Sequence, residues 1–409
     1  MTIDVRTVRE EEFDAWSDAL DIGFHSPKYR GDGQRRRKFF DIARCTGAFD
    51  GEKPVATFRS IEMQLTVPGD TFVPMTGVSA VAVLPTHRRR GLLSRMMSFE
   101  FEAARERGEA MAGLYAAEYP IYGRYGYGPA AEGSSWELDA RAAAFVRDLP
   151  GTVEVITADE ARSIGPRVYE AVRAITPGAV TRDSGYWDRV LGFAPREGDD
   201  SAKEVLNAVL RDADGRAVGY LRYKFGEEKW THSRPDNVVK ALDLIALNVE
   251  YEARLWKFLA DHDWVSRVIA EEVRRNDELW RDLLVNRRAA WPSDHWEGMW
   301  LRVLDPEAAL AARRYEVPGR VVLRVVDKDG YADGTFALEG GPDGAVCGRT
   351  TESPDVTIPV AALGSIMLGG FTAQRYARLG MLDEHRAGAI GGLSAMFQTG
   401  VAPWTPTGF

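Results

Sequence analysis

Three consecutive arginines, Arg88–Arg90, stand between an apolar run and a stretch with the pattern of an amphipathic helix. The run from Val78 to Leu84 predicts a strand that is covered on both faces. It should end at Pro85, because proline cannot donate a hydrogen bond to a sheet ladder. The helix should begin near Gly91, where its first turn has unpaired backbone N–H groups and the positive end of the helix dipole. Beside permanently charged guanidinium groups, this helix start predicts a site for a phosphate or pyrophosphate.

The arginine turn also has a simpler interpretation, in which it is a solvated basic loop without a ligand. The order of strand, proline, basic turn, glycine and helix favours the phosphate interpretation. It resembles the acyl-CoA signature of the GNAT N-acetyltransferase superfamily, which is Arg or Gln, two residues, Gly, one residue, then Gly or Ala. The chain has Arg88, Gly91 and the larger Leu93 at these three positions. The resemblance implies that the turn binds coenzyme A.

A segment rich in tyrosine and glycine, residues 118–129, follows the next predicted strand, Ala110–Ala116. A helix from about Gly91 to Arg107 should connect this strand to the first one by a right-handed crossover, so that the two strands lie parallel. Residues just beyond the C-terminal ends of both strands should then line one site. The tyrosines have two interpretations. They pack a turn onto the sheet, or one hydroxyl donates a proton at the thiol end of a cofactor.

Composition places the chain among soluble globular proteins with two or three domains, because it has 409 residues, 45% hydrophobic and 28% charged. The N-terminus has neither the basic nor the apolar region of a secretory signal. We expect no membrane segment, because the most apolar stretch, residues 356–371, is short and broken by proline and glycine. Two cysteines far apart in sequence, Cys45 and Cys347, suit a reducing compartment. We therefore expect a cytoplasmic protein.

A net charge of −9 argues against a nucleic-acid partner, since phosphate-backbone binding needs clustered excess Lys and Arg. An acidic protein can instead attract a cationic substrate. Metal binding is not expected either, because the histidines form no close pair with the spacing of metal ligands. The six histidines are His25, His87, His232, His262, His295 and His385.

The order of predicted elements divides the chain into three parts with boundaries at 1–140, 141–290 and 291–409. The second part repeats the strand, strand and helix of the first, with Leu244–Val249 where the phosphate-binding strand would be. It has no Arg-x-x-Gly turn and carries glutamates at the helix start, so we interpret it as a degenerate copy without cofactor. The three tryptophans of residues 291–300 suggest a domain-entry segment. The last part should be a small α+β domain, whose tail has Trp404 and Phe409 as apolar side chains for docking.

Over its whole length the chain resembles the enhanced intracellular survival (Eis) family of actinobacterial GNAT N-acetyltransferases. The segments that carry the resemblance are Val81–Leu93 and Ile121–Pro129, at the separation found in that family. The resemblance implies an α/β and α+β multidomain fold, with two tandem GNAT-like domains, the second degenerate, and a C-terminal sterol-carrier-protein-like domain. It also implies a homo-hexamer that uses acetyl-CoA to acetylate a primary amine of an aminoglycoside or a lysine.

Site residues follow from the resemblance position by position. Backbone groups at the end of the strand would contact the pantetheine arm, at Val81, Ala82 and Val83. The helix start would surround the pyrophosphate, with Arg88 at the edge of Arg89, Arg90, Gly91, Leu92, Leu93 and Ser94. Ala117 and Glu118 would close the cofactor site. Tyr119-Pro120 replaces a common Gly-Gly pair, and this bulkier, stiffer dipeptide predicts an altered channel for the acceptor amine.

The resemblance assigns the acid and base of direct acetyl transfer to Tyr122 and to the main-chain carboxylate of Phe409. A phenol with a pKa of about 10 gives its proton uphill to a thiolate whose conjugate thiol has a pKa of about 8.5. The donor must therefore work through position or a shifted pKa. Two other functions compete with catalysis. The chain could be a coenzyme A-binding sensor or scaffold without turnover, or a carrier that binds lipid through its C-terminal domain.

Overall fold

Two units, each with one seven-stranded sheet, make up the computed structural model, which describes residues 3–26, 29–195, 201–275 and 279–409. The first unit comprises Met1–Ala130, Met299–Thr399 and Phe409. The second comprises Ala131–Gly298 and Gly400–Gly408. Within the described ranges, no helix combines the length and the apolar character needed to cross a membrane.

The N-terminal part of the first unit supplies six strands and four helices. The strands are β1 (Asp4–Thr7), β2 (Cys45–Asp50), β3 (Lys53–Val67), β4 (Thr71–Val83), β5 (Met111–Tyr115) and β6 (Gly128–Pro129). The helices are α1 (Phe13–Gly23), α2 (Gly33–Arg36), α3 (Leu92–Glu106) and α4 (Tyr119–Tyr122).

The second unit follows in the chain. Its strands are β7 (Glu132–Asp139), β8 (Thr152–Ile156), β9 (Leu206–Arg211), β10 (Ala217–Phe225), β11 (Trp230–Thr231), β12 (Arg234–Pro235), β13 (Asn237–Ala246), β14 (Val265–Arg275) and β15 (Ala290–Glu297). Its helices are α5 (Ala158–Ala174), α6 (Ser184–Val190) and α7 (Val249–Ala260).

The chain then returns to the first unit. The strands here are β16 (Met299–Val303), β17 (Gly319–Val326), β18 (Gly334–Gly341), β19 (Gly344–Arg349), β20 (Val356–Pro359) and β21 (Asp383–Glu384). The helices are α8 (Pro306–Ala312), α9 (Val360–Ile366), α10 (Ala373–Arg378) and α11 (Ala389–Phe397).

The large sheet of the first unit has the strand order β1-β2-β3-β4-β5-β16-β6. Strands β3 and β4 form an antiparallel hairpin joined by three residues, Pro68–Asp70, of which Gly69 and Asp70 have positive φ. β4 is a single strand that ends at Val83, so Pro85 does stop it as predicted. It continues through Pro74 and Gly77, which look like interruptions in the sequence.

The predicted crossover is confirmed, because β4 and β5 pair in parallel and α3 connects them. Helix α3 forms because its apolar residues recur on one face. Its core side chains Met96, Met97 and Phe101 are at most 1% exposed and pack in one cluster with Leu114 of β5. The methionine pair therefore belongs to the core.

The sheet of the second unit has the order β15-β7-β14-β13-β10-β9-β8. Here β13, α7 and β14 repeat the arrangement of β4, α3 and β5, with β13 and β14 parallel. The start of α7 differs from that of α3. The Asn248 side chain caps it by accepting from the Tyr251 N–H, and its first turn carries Glu250 and Glu252. The cap satisfies one N–H of the helix N-terminus and the glutamates repel an anion, as expected for a degenerate copy.

Strand pairing assigns the segments around residues 140 and 291 to other units than the predicted boundaries suggest. Strand β7, which precedes residue 140, pairs in the sheet of the second unit with β14 and β15. Strand β16, which follows residue 291, pairs in the first unit between β5 and β6. The tryptophan-rich segment, residues 291–300, thus spans most of β15 and the first two residues of β16. Hydrogen bonds between segments far apart in sequence decide these boundaries, and local patterns do not report them.

The C-terminal α+β domain lies in the first unit and contains a five-stranded sheet of order β19-β18-β17-β20-β21. Its helix α9 packs on β16 and β6 with almost no space between the backbones. A Cβ atom at Gly128 would overlap the Ala361 carbonyl, and one at Gly364 would overlap the Leu301 carbonyl. Glycine at both positions allows this close contact.

Candidate active site

Strands β4 and β5 separate at their C-terminal ends. Their parallel pairs run from Met75 opposite Met111 to Gly77 opposite Gly113, and the ladder ends there. Strand β4 nevertheless continues to Val83, still paired with β3 on its other side. Beyond Gly77 the edge of β4 that faces β5 has no strand partner among the described residues, so it can pair with an extended ligand.

A β-bulge lies in β4 where the strands separate. The register between β3 and β4 shifts there, with Thr57 opposite Ala82 but Arg59 opposite Ser79. Ala80 has a φ of 52°, in the left-handed region that residues other than glycine rarely adopt. The Thr57 hydroxyl donates to the Ala80 carbonyl oxygen at 2.9 Å and holds the bulge. Bulges of this kind change the direction of backbone groups beside active sites.

The arginine turn follows directly and leads into α3. Arg89 and Gly91 both have left-handed φ values, of 63° and 72°. Gly91 is the N-cap of the 15-residue helix α3, and among the described residues no side chain caps its first N–H groups. Arg88 and Arg90 donate to the carbonyls of Val83 and Thr86, at 3.2 and 3.1 Å, which holds these exposed side chains against the turn.

The tyrosine-rich segment forms the other side of the opening, beyond the end of β5. Ala117 and Glu118 are exposed and lead into the short helix α4, of which Tyr122 is the last residue. The Tyr125 hydroxyl lies 3.0 Å from Ser94 Oγ, in the first turns of α3, so the segment contacts the predicted phosphate-binding turn. Two predicted regions, far apart in sequence, therefore meet.

Tyr122 is half-buried, and its ring lies 6.3 Å from that of Tyr127 in an edge-on arrangement. Burial raises the pKa of the Tyr122 phenol above its ordinary value, and the negative charge of Glu118 adds to the rise. Tyr127 is 1% exposed and belongs to the core, and its hydroxyl has no hydrogen-bond partner among the described residues. Burial raises the pKa of Tyr127 far more.

Phe409 lies in the first unit, at the point where β4 and β5 separate. Its ring is 5.4 Å from the ring of Tyr115, the last residue of β5. A Cβ atom at Gly77 would lie 3.1 Å from the Phe409 ring and 2.8 Å from Met63 Sδ. The absence of a side chain at Gly77 thus makes room for the last residue of the chain.

The tail that precedes Phe409 is anchored within the second unit. Buried Arg182 forms an ion pair with Asp243 at 2.7 Å and donates to Thr407 Oγ1 at 2.8 Å and to the Pro406 carbonyl at 2.7 Å. Trp404 is 4% exposed in a cluster of that unit. The tail is therefore docked, as its apolar residues predicted. Arg182 and Asp243 were not found from the sequence, because nothing in their local pattern distinguishes them.

Sequence reasoning also missed Thr57, Gly77 and Tyr115. Thr57 lies in β3, Gly77 lies one residue before the predicted strand Val78–Leu84, and Tyr115 lies in the predicted strand Ala110–Ala116. Their relevance depends on pairing and packing that no short motif encodes. Within the described residues, no three His, Cys, Asp or Glu side chains are grouped so that they could hold a metal ion.

Comparison with known proteins agrees with this geometry. Residues 4–130 match the acetyltransferase (GNAT) domain, residues 178–325 match a second acetyltransferase (GNAT) domain, and residues 306–406 match the sterol carrier protein domain. The fold and the site together define a GNAT-type N-acetyltransferase.

Individual relatives match over most or all of the chain. An uncharacterized N-acetyltransferase of Streptomyces griseus is 40% identical over 100% of both chains. The N-acetyltransferase Eis of Mycobacterium tuberculosis is 31% identical over 87% of this chain and 86% of its own. The crystal structure of Eis1 from Mycobacterium abscessus superposes with a TM-score of 0.87, at 30% identity, over 99% of this chain and 100% of that one. The chain belongs to the Eis family of GNAT N-acetyltransferases.

Gly77→Ala should displace the Phe409 ring, because the added Cβ would press on both the ring and Met63 Sδ. We expect carboxypeptidase A to release the terminal phenylalanine faster from this variant than from the wild type. Gly391→Ala is the matched control, since a Cβ there meets nothing within 4 Å and should leave the release rate unchanged. Equal release rates for wild type and Gly77→Ala would show that Gly77 does not set the place of the ring.

Proposed function

We propose that the protein transfers the acetyl group of acetyl-CoA directly to a primary amine, with Tyr122 as general acid and the Phe409 carboxylate as general base. The observation that carries the proposal is the separation of β4 from β5 next to the uncapped start of α3. An extended thioester arm can lie in such an opening while its diphosphate meets the helix N-terminus.

The residues at the opening fit coenzyme A in order along the chain. Val81, Ala82 and Val83 offer backbone groups to the two amides of the pantetheine arm. The helix start offers N–H groups and positive charge to the pyrophosphate, through Arg88, Arg89, Arg90, Gly91, Leu92, Leu93 and Ser94. A Cβ at Gly91 would meet nothing within 4 Å, so there is space for an anion next to the backbone. Ala117 and Glu118 are placed to close the site on the side of β5.

The reaction needs one bond to form and one to break. The lone pair of the neutral amine attacks the thioester carbonyl carbon and forms a C–N bond, and the carbonyl oxygen becomes an oxyanion. Backbone N–H groups near the bulge at Ala80 can stabilise that charge. Collapse of the intermediate breaks the C–S bond and expels the thiolate. Tyr122 gives its proton to the thiolate, Phe409 takes the proton that the amine loses, and solvent resets both groups.

The environment of Tyr122 suits an acid that must stay protonated. Burial raises its pKa, so the phenol keeps its proton throughout the physiological range. The transfer to a thiolate is then uphill, and it proceeds because the donor is held beside the leaving group. A terminal carboxylate is a weak base, with an ordinary pKa of about 3.3 to 3.7. The contact of the Phe409 ring with Tyr115 supports a role for that carboxylate, because it localises the chain end near the opening.

A cationic amine, such as an aminoglycoside or a lysine side chain, fits the net charge of −9. Tyr119 replaces a small residue of the family and lies beside the opening, with its ring 5.6 Å from that of Trp300. We infer that this pair narrows the acceptor side of the opening. The resemblance to the family further leads us to propose a cytoplasmic homo-hexamer.

Turnover tests the proposal against a sensor or scaffold that only binds coenzyme A. Wild-type protein, acetyl-CoA and a panel of aminoglycosides and lysine peptides should release free thiol, measured continuously, with at least one amine. Tyr122→Phe should lower kcat by about 100-fold or more, the scale of general acid catalysis. One glycine added after Phe409 should lower it similarly, because the carboxylate is displaced.

Tyr127→Phe is the matched control and should keep nearly full rate, since the hydroxyl that it removes is buried and without a partner among the described residues. Calorimetric binding of acetyl-CoA without thiol release for any amine would favour the scaffold. Full rates for both Tyr122→Phe and the extended chain would show that the acid and base are wrongly assigned.

The pH dependence of kcat should reflect the raised pKa of Tyr122. An acid is active below its pKa, so the loss of activity caused by its ionisation should lie above pH 10.0, its ordinary value. We expect kcat to show no decline due to Tyr122 from pH 6 to about pH 9.5, while the amine substrate becomes increasingly deprotonated. An alkaline decline with a midpoint below 9 that disappears in Tyr122→Phe would contradict this environment for the phenol.

A further inference from the structure

A buried arginine of the first unit contacts the turn that follows Tyr122. Arg302 lies in β16, between β5 and β6, and its side chain is 0% exposed. Its Nη2 lies 2.8 Å from a carboxylate oxygen of Asp327, which is itself 1% exposed. A charge at this depth is tolerated only when it is paired and hydrogen-bonded.

A second guanidinium nitrogen of Arg302 binds the tyrosine-rich segment. Nη1 of Arg302 donates to the backbone carbonyl of Tyr125. The next residue, Gly126, has a φ of 75°, and a Cβ there would overlap Nη1. The chain thus bends directly over the guanidinium, in a conformation that favours glycine.

This anchor lies three residues from the proposed acid, in a turn closed by its own backbone. The Gly126 N–H donates to the Gly123 carbonyl, and the Tyr127 N–H donates to the Tyr122 carbonyl. Fixing the Tyr125 carbonyl therefore restricts the whole turn, including the backbone that carries the Tyr122 side chain. Displacement of a catalytic group by about 1 Å can reduce a rate by about 100-fold.

The carboxylate partner is fixed as well. Asp327 follows β17 in the C-terminal domain and accepts from the N–H groups of Asp329 and Ala332, at 3.2 and 3.0 Å. The guanidinium of Arg302 also lies 4.7 Å from the ring centre of Phe101 in α3. One side chain thus joins α3, the turn after Tyr122 and a loop of the C-terminal domain.

We propose that Arg302, oriented by Asp327, is a positioning residue that sets the place of the Tyr122 hydroxyl for proton donation. The inference rests on the proposed role of Tyr122 as general acid. It gives the C-terminal domain a part in acetyl transfer through Asp327. A purely structural role is the competing explanation, because any buried arginine contributes to stability.

A double-mutant cycle separates these two roles. Arg302→Lys keeps the charge but shortens the side chain and loses the fork that joins Asp327 to Tyr125. In the full-length wild-type background we expect kcat to fall about tenfold while the KM for acetyl-CoA stays within about twofold. In the Tyr122→Phe background the same substitution should change kcat by less than about twofold, because its effect acts through the missing hydroxyl.

Arg313→Lys is the matched control. Arg313 is an equally buried arginine of the same unit, but it donates to the carbonyls of Met367 and Phe397. Any loss that it causes should be the same factor in both backgrounds. Should Arg302→Lys melt below the assay temperature, Asp327→Asn takes its place in the cycle, with the same expected kcat pattern.

Each outcome decides one claim. Equal losses in both backgrounds, or no loss in either, would overturn the positioning role and leave the general acid standing. Full activity of Tyr122→Phe alone would overturn the acid assignment, and the positioning role with it. A loss confined to the background that retains Tyr122 supports both.

Discussion

The separation of β4 from β5 after Gly77 and Gly113 is the constraint on which the site depends. Where two parallel strands are paired, their ladder satisfies the backbone groups that face each other. Here the bulge at Ala80 redirects β4, and the Thr57 hydroxyl holds the bulge from the neighbouring strand. The opening leaves backbone groups for a ligand at the end of β4, and the chain then turns at once into the start of α3. The proposed binding of a thioester arm and of its diphosphate thus depends on one local change in pairing.

The second unit shows what the helix start contributes. It has the same strand, helix and parallel strand, yet an asparagine caps its helix and glutamates occupy the first turn. The asparagine caps one N–H of the helix start, and the glutamates there carry negative charge, which disfavours an anion. The fold alone therefore does not create the function, and the chemistry of a few residues at the helix start does. This contrast supports assigning coenzyme A to the first unit.

Local sequence patterns predicted the parts of the fold that depend on residues close together in the chain. The strand before Pro85, the crossover helix and the second parallel strand were all predicted, since proline, periodicity and glycine act over a few residues. Pairing at long range was not predictable in this way. Strand β16 enters the first sheet from residue 299 onward, and Arg302 reaches the tyrosine-rich turn only because of that pairing. The motif thus predicted a candidate phosphate-binding turn, and its role stays a prediction, whereas long-range packing determines what contacts Tyr122 and Phe409.

The most direct test of the account is amide hydrogen exchange with and without saturating acetyl-CoA, because it reports where the cofactor lies without requiring turnover. The account predicts slower exchange for peptides that cover Val81–Val83 and Gly91–Ser94. It predicts no change in the corresponding segment of the second unit, residues 244–251. Binding of acetyl-CoA that leaves the exchange of both first-unit segments unchanged would contradict the central claim that the opening between β4 and β5 holds the cofactor.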